Sequence, residues 1–286
     1  MKAAWIGLGA MGAPMAGHLA KHGHLAAVWN RTAAKSERFA AEYPRVRVAA
    51  TAQDAARDAD VIFICVSADD DLRGIIDALD SVLAAGQIVV DHSTVAPSTA
   101  RDLADALEDV GVTFIDAPVT GGVEGAVNGQ LAIMSGGDAR ALDKIRSVLA
   151  CYARVVHHLG SSGSGQSAKA VNQLMVAGIA EAVCESLALM ERLDLPREPM
   201  LEVLGGGAAG NWFLDKRGAT MLDDRFDTGF DPKLLLKDLG ICETVCQETG
   251  FHSTVVGQAL ADYKKLIAAG ENGGDISSLI RLKKRD

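Results

Sequence analysis

Along the first 160 residues, short apolar runs alternate with alanine-rich amphipathic segments. Ala3-Ala4-Trp5-Ile6 leads into Gly7-Leu8-Gly9-Ala10-Met11-Gly12 and then a helical stretch through Lys21. A second run at 25–29 ends in a polar turn before a helix-like segment at 33–43. Further runs recur at 45–49, 61–66, 88–91 and 112–115, with helical pieces between them. Strands alternating with helices at this spacing predict βαβ units and a mostly parallel, doubly wound α/β sheet. Two shorter runs, 131–134 and 155–159, add one or two strands around a helix at 139–150.

After Gly160 the texture changes. Ser161-Ser162-Gly163-Ser164-Gly165 is a hinge-like cluster, and 166–192 then reads as one long helix with a single internal glycine, Gly178. Its apolar positions (Leu174, Val176, Ile179, Val183, Leu187, Met190) suit a buried helix better than a one-sided one. Segments 197–205, 232–249 and 253–269 also read helical, and no convincing strand follows. The expected organisation is a dinucleotide-binding domain over 1–160 and an all-helical domain over 161–286, joined by the long helix. The basic end, Arg281-Leu282-Lys283-Lys284-Arg285, reads as a solvated tail.

Composition narrows the function classes. Twenty-eight basic against thirty-seven acidic residues give a net charge of −9, which opposes binding to nucleic acid or anionic lipid. No uninterrupted apolar run reaches the roughly 18 residues of a membrane span, so a cytoplasmic protein is expected. Of the five cysteines only Cys242 and Cys246 are close. No Cys/His cluster completes a metal site around them, and none is expected elsewhere. The run Asp69-Asp70-Asp71 cannot converge on one ion and reads instead as a helix N-cap that complements the dipole.

The candidate chemistry begins at Gly7-x-Gly9-x-x-Gly12, which follows a strand and opens a helix. There the first glycine permits the tight turn, the second lets a pyrophosphate approach the backbone, and the third lets helix and strand pack closely. An NAD-selective site places an acid at the end of the second strand, near 20 residues on. This chain reads Trp29-Asn30-Arg31-Thr32 there. A guanidinium beside amide and hydroxyl groups suits a 2′-phosphate, so NADP is expected, with NAD possible. The stretch 116–122 offers the Thr120 hydroxyl and the amides of Gly121 and Gly122 to a small carboxylate. Lys169 stands near the start of the long helix, with Asn172 and Gln173 three and four residues on. Burial and the helix dipole both push such an amine toward proton transfer at neutral pH.

These motifs, in this order, resemble the β-hydroxyacid dehydrogenases, the 3-hydroxyisobutyrate dehydrogenase family. The resemblance rests on 5–16, on Asp91-His92-Ser93-Thr94, on 116–122 with Gly125, Gly129 and Leu131, on 163–173, and on Lys237-Asp238-Leu239. It implies a Rossmann domain followed by an all-helical domain, assembled as a homodimer or homotetramer. By the same resemblance Lys169 is the catalytic lysine. Thr120, Gly121, Gly122, Asn172 and Gln173 then bind the substrate, while Val66, Ser67, Thr94 and Lys237 join residues 7–12 and 30–32 around the cofactor. The family commonly has serine where this chain has Thr120, paired asparagines where it has Asn172-Gln173, and Leu-Pro where it has Val66-Ser67. The expected reaction is hydride transfer between NADP(H) and a small 3-hydroxy acid or semialdehyde. The alternatives are a non-catalytic NADP-binding sensor of the same fold and an imine reductase-like enzyme.

Overall fold

The computed structural model describes residues 1–227, 229–271 and 274–285. The chain forms two compact units, Met1–Lys169 and Ala170–Asp286. The first opens with β1 (Ala3–Ile6), α1 (Gly12–Lys21), β2 (Leu25–Trp29), α2 (Ala33–Glu42), β3 (Arg47–Val48), α3 (Ala52–Ala56), β4 (Val61–Ile64), α4 (Asp69–Leu79) and β5 (Ile88–Asp91). It continues with α5 (Pro97–Glu108), β6 (Thr113–Asp116), β7 (Val119–Thr120), α6 (Gly122–Val127), β8 (Leu131–Gly137), α7 (Ala139–Leu149) and β9 (Ala153–His158). The sheet runs β3-β2-β1-β4-β5-β6-β8-β7, with β9 against β8. The first six strands are parallel; β8 runs antiparallel to β6 and β7, and β9 parallel to β8.

Strands β1 and β4, and β5 up to its closing Asp91, are apolar because both faces of the sheet are covered there. Alternate side chains divide between two layers, as the two-residue repeat requires. Trp5, Phe63 and Val90 pack on one face with Met15, Leu19 and Tyr152. Ile6, Ile62, Ile64 and Val89 pack on the other with Leu72, Leu79 and Leu103. From β1 the chain steps outward to β2 and β3, then returns to β4 on the opposite side of β1. That reversal opens a crevice at the carboxyl ends of β1 and β4, where such sheets bind ligands. The three aspartates 69–71 form the first turn of α4 rather than its cap, which is Ala68.

The second unit contains most of α8 (Ser164–Arg192), then α9 (Arg197–Gly206), α10 (Trp212–Leu222), α11 (Pro232–Thr249), α12 (Thr254–Ala268), a 3-10 turn (Ile276–Leu279) and α13 (Ile280–Arg285). Among the described residues α8 is the one helix long and apolar enough to cross a membrane, yet Ala177, Ala180, Cys184 and Leu187 are fully buried in this unit's core. Helix α10 was not expected: its apolar residues lack an obvious period, and the Asn211 cap follows Gly210 as in a loop. The basic end is not a solvated tail. Arg281 pairs with Asp224 and Glu271, Lys284 with Glu191, and the nearly buried Lys283 with Glu181 and Asp262, both at 2.6 Å. Burial alone would depress the Lys283 ammonium, but its bonds to Asp262, Glu181 and Glu185 outweigh that and hold it above its usual range.

Candidate active site

The Gly7–Gly12 turn lies at the carboxyl end of β1. Gly7 has φ +97°, and a side chain there would sit 2.1 Å from the Cys65 carbonyl; at Gly12 it would sit 2.1 Å from that of Gly7. Gly9 differs: a Cβ would meet nothing within 4 Å. Space at the second glycine, beside the start of α1, is what a pyrophosphate requires. Leu8 is buried, Ala10 exposed and Met11 half-buried. The Leu8 amide donates to Asn30 Oδ1 at 2.9 Å, and Asn30 Nδ2 donates to the Thr32 carbonyl at 3.1 Å. Asn30 therefore braces the turn. Thr32 and Arg31 are exposed, and Arg31 Nη1 pairs with Asp71 at 2.8 Å.

Val66 and Ser67 follow β4, and Thr94 follows β5, on the same edge of the sheet. The Val66 amide donates to Ser93 Oγ at 2.9 Å, and the Ser93 amide to Asp91 Oδ1 at 2.9 Å. Beneath them His92 is enclosed by Trp5 and Phe63, each stacked at 5.7 Å, and by the edge of Tyr152. The Ala117 carbonyl can only accept, so His92 Nδ1 carries the proton and donates at 2.6 Å. Nε2 then accepts from the Tyr152 hydroxyl at 2.7 Å. Burial pushes this imidazole down to about 4, against the pull of Ala117.

An unfolded chain takes up that proton as pH falls through 6.5, whereas the fold keeps His92 neutral until about pH 4. Stability present above pH 6.5 is therefore lost between these values, about 3 kcal/mol in all. The urea midpoint, followed by tryptophan fluorescence, should fall more steeply from pH 6.5 to 4.5 in the native protein than in His92→Gln. Parallel slopes would contradict this.

Asp116 ends β6 fully buried. Its Oδ1 accepts from the Gly163 amide at 2.8 Å and its Oδ2 from the Gln166 amide at 3.0 Å. Burial raises its carboxyl above the usual range despite these donors. Gln166 in turn donates to the Ser93 carbonyl and accepts from the Val95 amide. The first turn of α8 is thus pinned to the ends of β5 and β6. Gly165 fits because a Cβ would lie 2.5 Å from the Met134 carbonyl. One turn beyond Gly165 is Lys169, 8% exposed, whose Nζ donates to the Val119 carbonyl at 2.9 Å. Val119 adjoins Thr120, Gly121 (φ +128°) and Gly122 (φ +65°). In the second unit, Asn172 Nδ2 donates to Gln173 Oε1, Gln173 Nε2 to Asp238 Oδ2 at 2.7 Å, and Lys237 pairs with Asp238 Oδ1 at 3.0 Å.

Two family models match the chain. One, described as the NAD binding domain of 6-phosphogluconate dehydrogenase, covers residues 2–160. The other, described as the NAD-binding domain of NADP-dependent 3-hydroxyisobutyrate dehydrogenase, covers 163–283. The chain belongs to the 3-hydroxyisobutyrate dehydrogenase family. An oxidoreductase of Shewanella frigidimarina is 39% identical over 99% of this chain and 98% of its own length. An NAD-dependent L-serine dehydrogenase of Pseudomonas aeruginosa is 33% identical over 98% and 96%. The structure of Mycobacterium tuberculosis 3-hydroxyisobutyrate dehydrogenase with L-serine superimposes with a TM-score of 0.87, at 30% identity and 98% of both chains. The protein is accordingly an NAD(P)-dependent hydroxyacid dehydrogenase.

The bonds that hold this framework come largely from residues with no role in the sequence pattern. Asp116, Gln166, Ser93, His92 and Asp238 had no assigned role. The available signal was a polar residue closing an apolar run, as at Asp91 and Asp116, but only the fold reveals its partner.

Proposed function

We propose that the protein moves a hydride between NADP(H) and a small 3-hydroxy acid or its semialdehyde, with Lys169 as general acid/base. The observation that carries this reading is the burial of Lys169 Nζ against the Val119 carbonyl, beside Thr120-Gly121-Gly122. That contact fixes the buried amine beside the glycine-rich turn, and an amine nitrogen is a group that can exchange a proton with a substrate oxygen. In oxidation the neutral Nζ takes the hydroxyl proton; in reduction the ammonium returns it to the developing alkoxide. The bound nicotinamide supplies the hydride acceptor or donor at its C4. Thr120 Oγ1 and the Gly121 and Gly122 amides hold the substrate carboxylate. Such positioning removes several kcal/mol of barrier.

Residues 7–12, 30–32, 66, 67 and 94 hold the cofactor. The test is turnover on a panel of small 3-hydroxy acids, L-serine and semialdehydes with each cofactor; a panel with no turnover would defeat the reading. Arg31 reads the 2′-phosphate. Arg31→Ala should raise the KM for NADPH roughly 10- to 100-fold, the loss of a charge-assisted pair, and that for NADH little. Equal losses would show that Arg31 does not read the phosphate.

A further inference from the structure

We propose that Asp71 sets the balance between NADP(H) and NAD(H) by competing with the 2′-phosphate for Arg31. The inference rests on the reading of Arg31 given above and goes beyond it. Arg31 follows β2, and Asp71 stands in the first turn of α4, after β4. Strand β1 lies between β2 and β4. The Arg31–Asp71 bridge at 2.8 Å therefore spans the carboxyl end of β1, where the glycine turn begins.

The neighbouring acid is differently engaged. Asp69 accepts from the Ala96 amide at 2.9 Å and from Thr99 Oγ1 at 2.7 Å, and so serves the packing of α4 against α5. Asp71 is turned instead to the guanidinium, whose side chain is 81% exposed while its own is 27% exposed. An exposed pair of this kind adds little to stability, so its effect falls on what binds beside it. A phosphate takes a guanidinium best through two parallel N–H groups, and Nη1 is already committed to Asp71. A 2′-phosphate that takes the Nη1/Nη2 fork must displace Asp71, and one that takes the Nε/Nη2 side meets a guanidinium whose charge the carboxylate partly neutralises. A ribose 2′-hydroxyl carries no charge and can itself donate to a carboxylate. The acid missing from the end of β2 is thus supplied by another element, and it disfavours the phosphate without disfavouring the diol.

The test is equilibrium titration of Asp71→Asn with NADPH and with NADH, read by nicotinamide fluorescence at low salt. The expected result is an NADPH Kd lowered about threefold to tenfold, the gain from freeing the Arg31 guanidinium of its neutralising partner, with the NADH Kd unchanged or raised. An unchanged or weakened NADPH affinity would overturn the inference. The same substitution is then made in Arg31→Ala, where it should no longer alter NADPH binding; a persisting gain would show that Asp71 does not act through Arg31. Arg31→Ala alone reports on the underlying reading: if it weakens NADPH selectively while Asp71→Asn has no effect, the reading stands and only this inference fails.

Discussion

Replacing Lys169 by methionine is expected to lower kcat by roughly 10²–10⁴-fold, with cofactor affinity nearly unchanged. Methionine keeps most of the apolar stem that α8 buries and removes only the amine. The structural cost includes the hydrogen bond to the Val119 carbonyl, about 1 kcal/mol, and the variant should still fold. In the proposed function the nucleotide is held elsewhere, by the glycine turn and the residues after β2, so fluorescence titration with NADPH should scarcely move. A lysine that served packing alone would give the opposite pattern, a lower melting temperature with nearly normal kcat. A folded, NADPH-binding variant that turns over substrate within about threefold of the parent would defeat the proton-transfer role.

Asp116→Ala should destabilise the first unit by about 2–5 kcal/mol, because it leaves the buried amides of Gly163 and Gln166 without their acceptors. The same change frees the start of α8 from β6, one turn before Lys169. Turnover should therefore fall together with stability, and more in kcat than in the Kd for NADPH, since the glycine turn is untouched. Urea unfolding at pH 7 measures the first effect and steady-state kinetics the second. A loss below about 1 kcal/mol would mean that water or a shifted backbone replaces the carboxylate. A normal kcat in the destabilised variant would mean that α8 is positioned without Asp116.

The pattern of the chain was sufficient to place β1, β2, β4, β5 and β6 and the helices between them, because strands buried on both faces must be apolar and cannot be mistaken for surface segments. The glycine turn was legible for a related reason. Gly7 and Gly12 are positions where any side chain meets backbone within 2.1 Å, and such sites leave an unambiguous residue type. Lys169 and the Thr120-Gly121-Gly122 stretch were singled out by the family motifs, which also gave their order.

Partnership was decided by tertiary structure alone. Nothing local in Asp-Asp-Asp says that Asp69 serves α5 while Asp71, two residues on, takes Arg31 from forty positions away. The basic tail reads as solvated because its acids, Glu181, Glu191, Asp224, Asp262 and Glu271, are scattered through the second unit. Asp116 reads as one more loop residue until β6 and α8 meet. Hydrophobic periodicity reports how each segment faces its own surroundings, so it carries the elements and their buried faces. Long-range polar bonds depend on which strand ends and helix starts are brought side by side, and only the completed sheet and helix packing determine that.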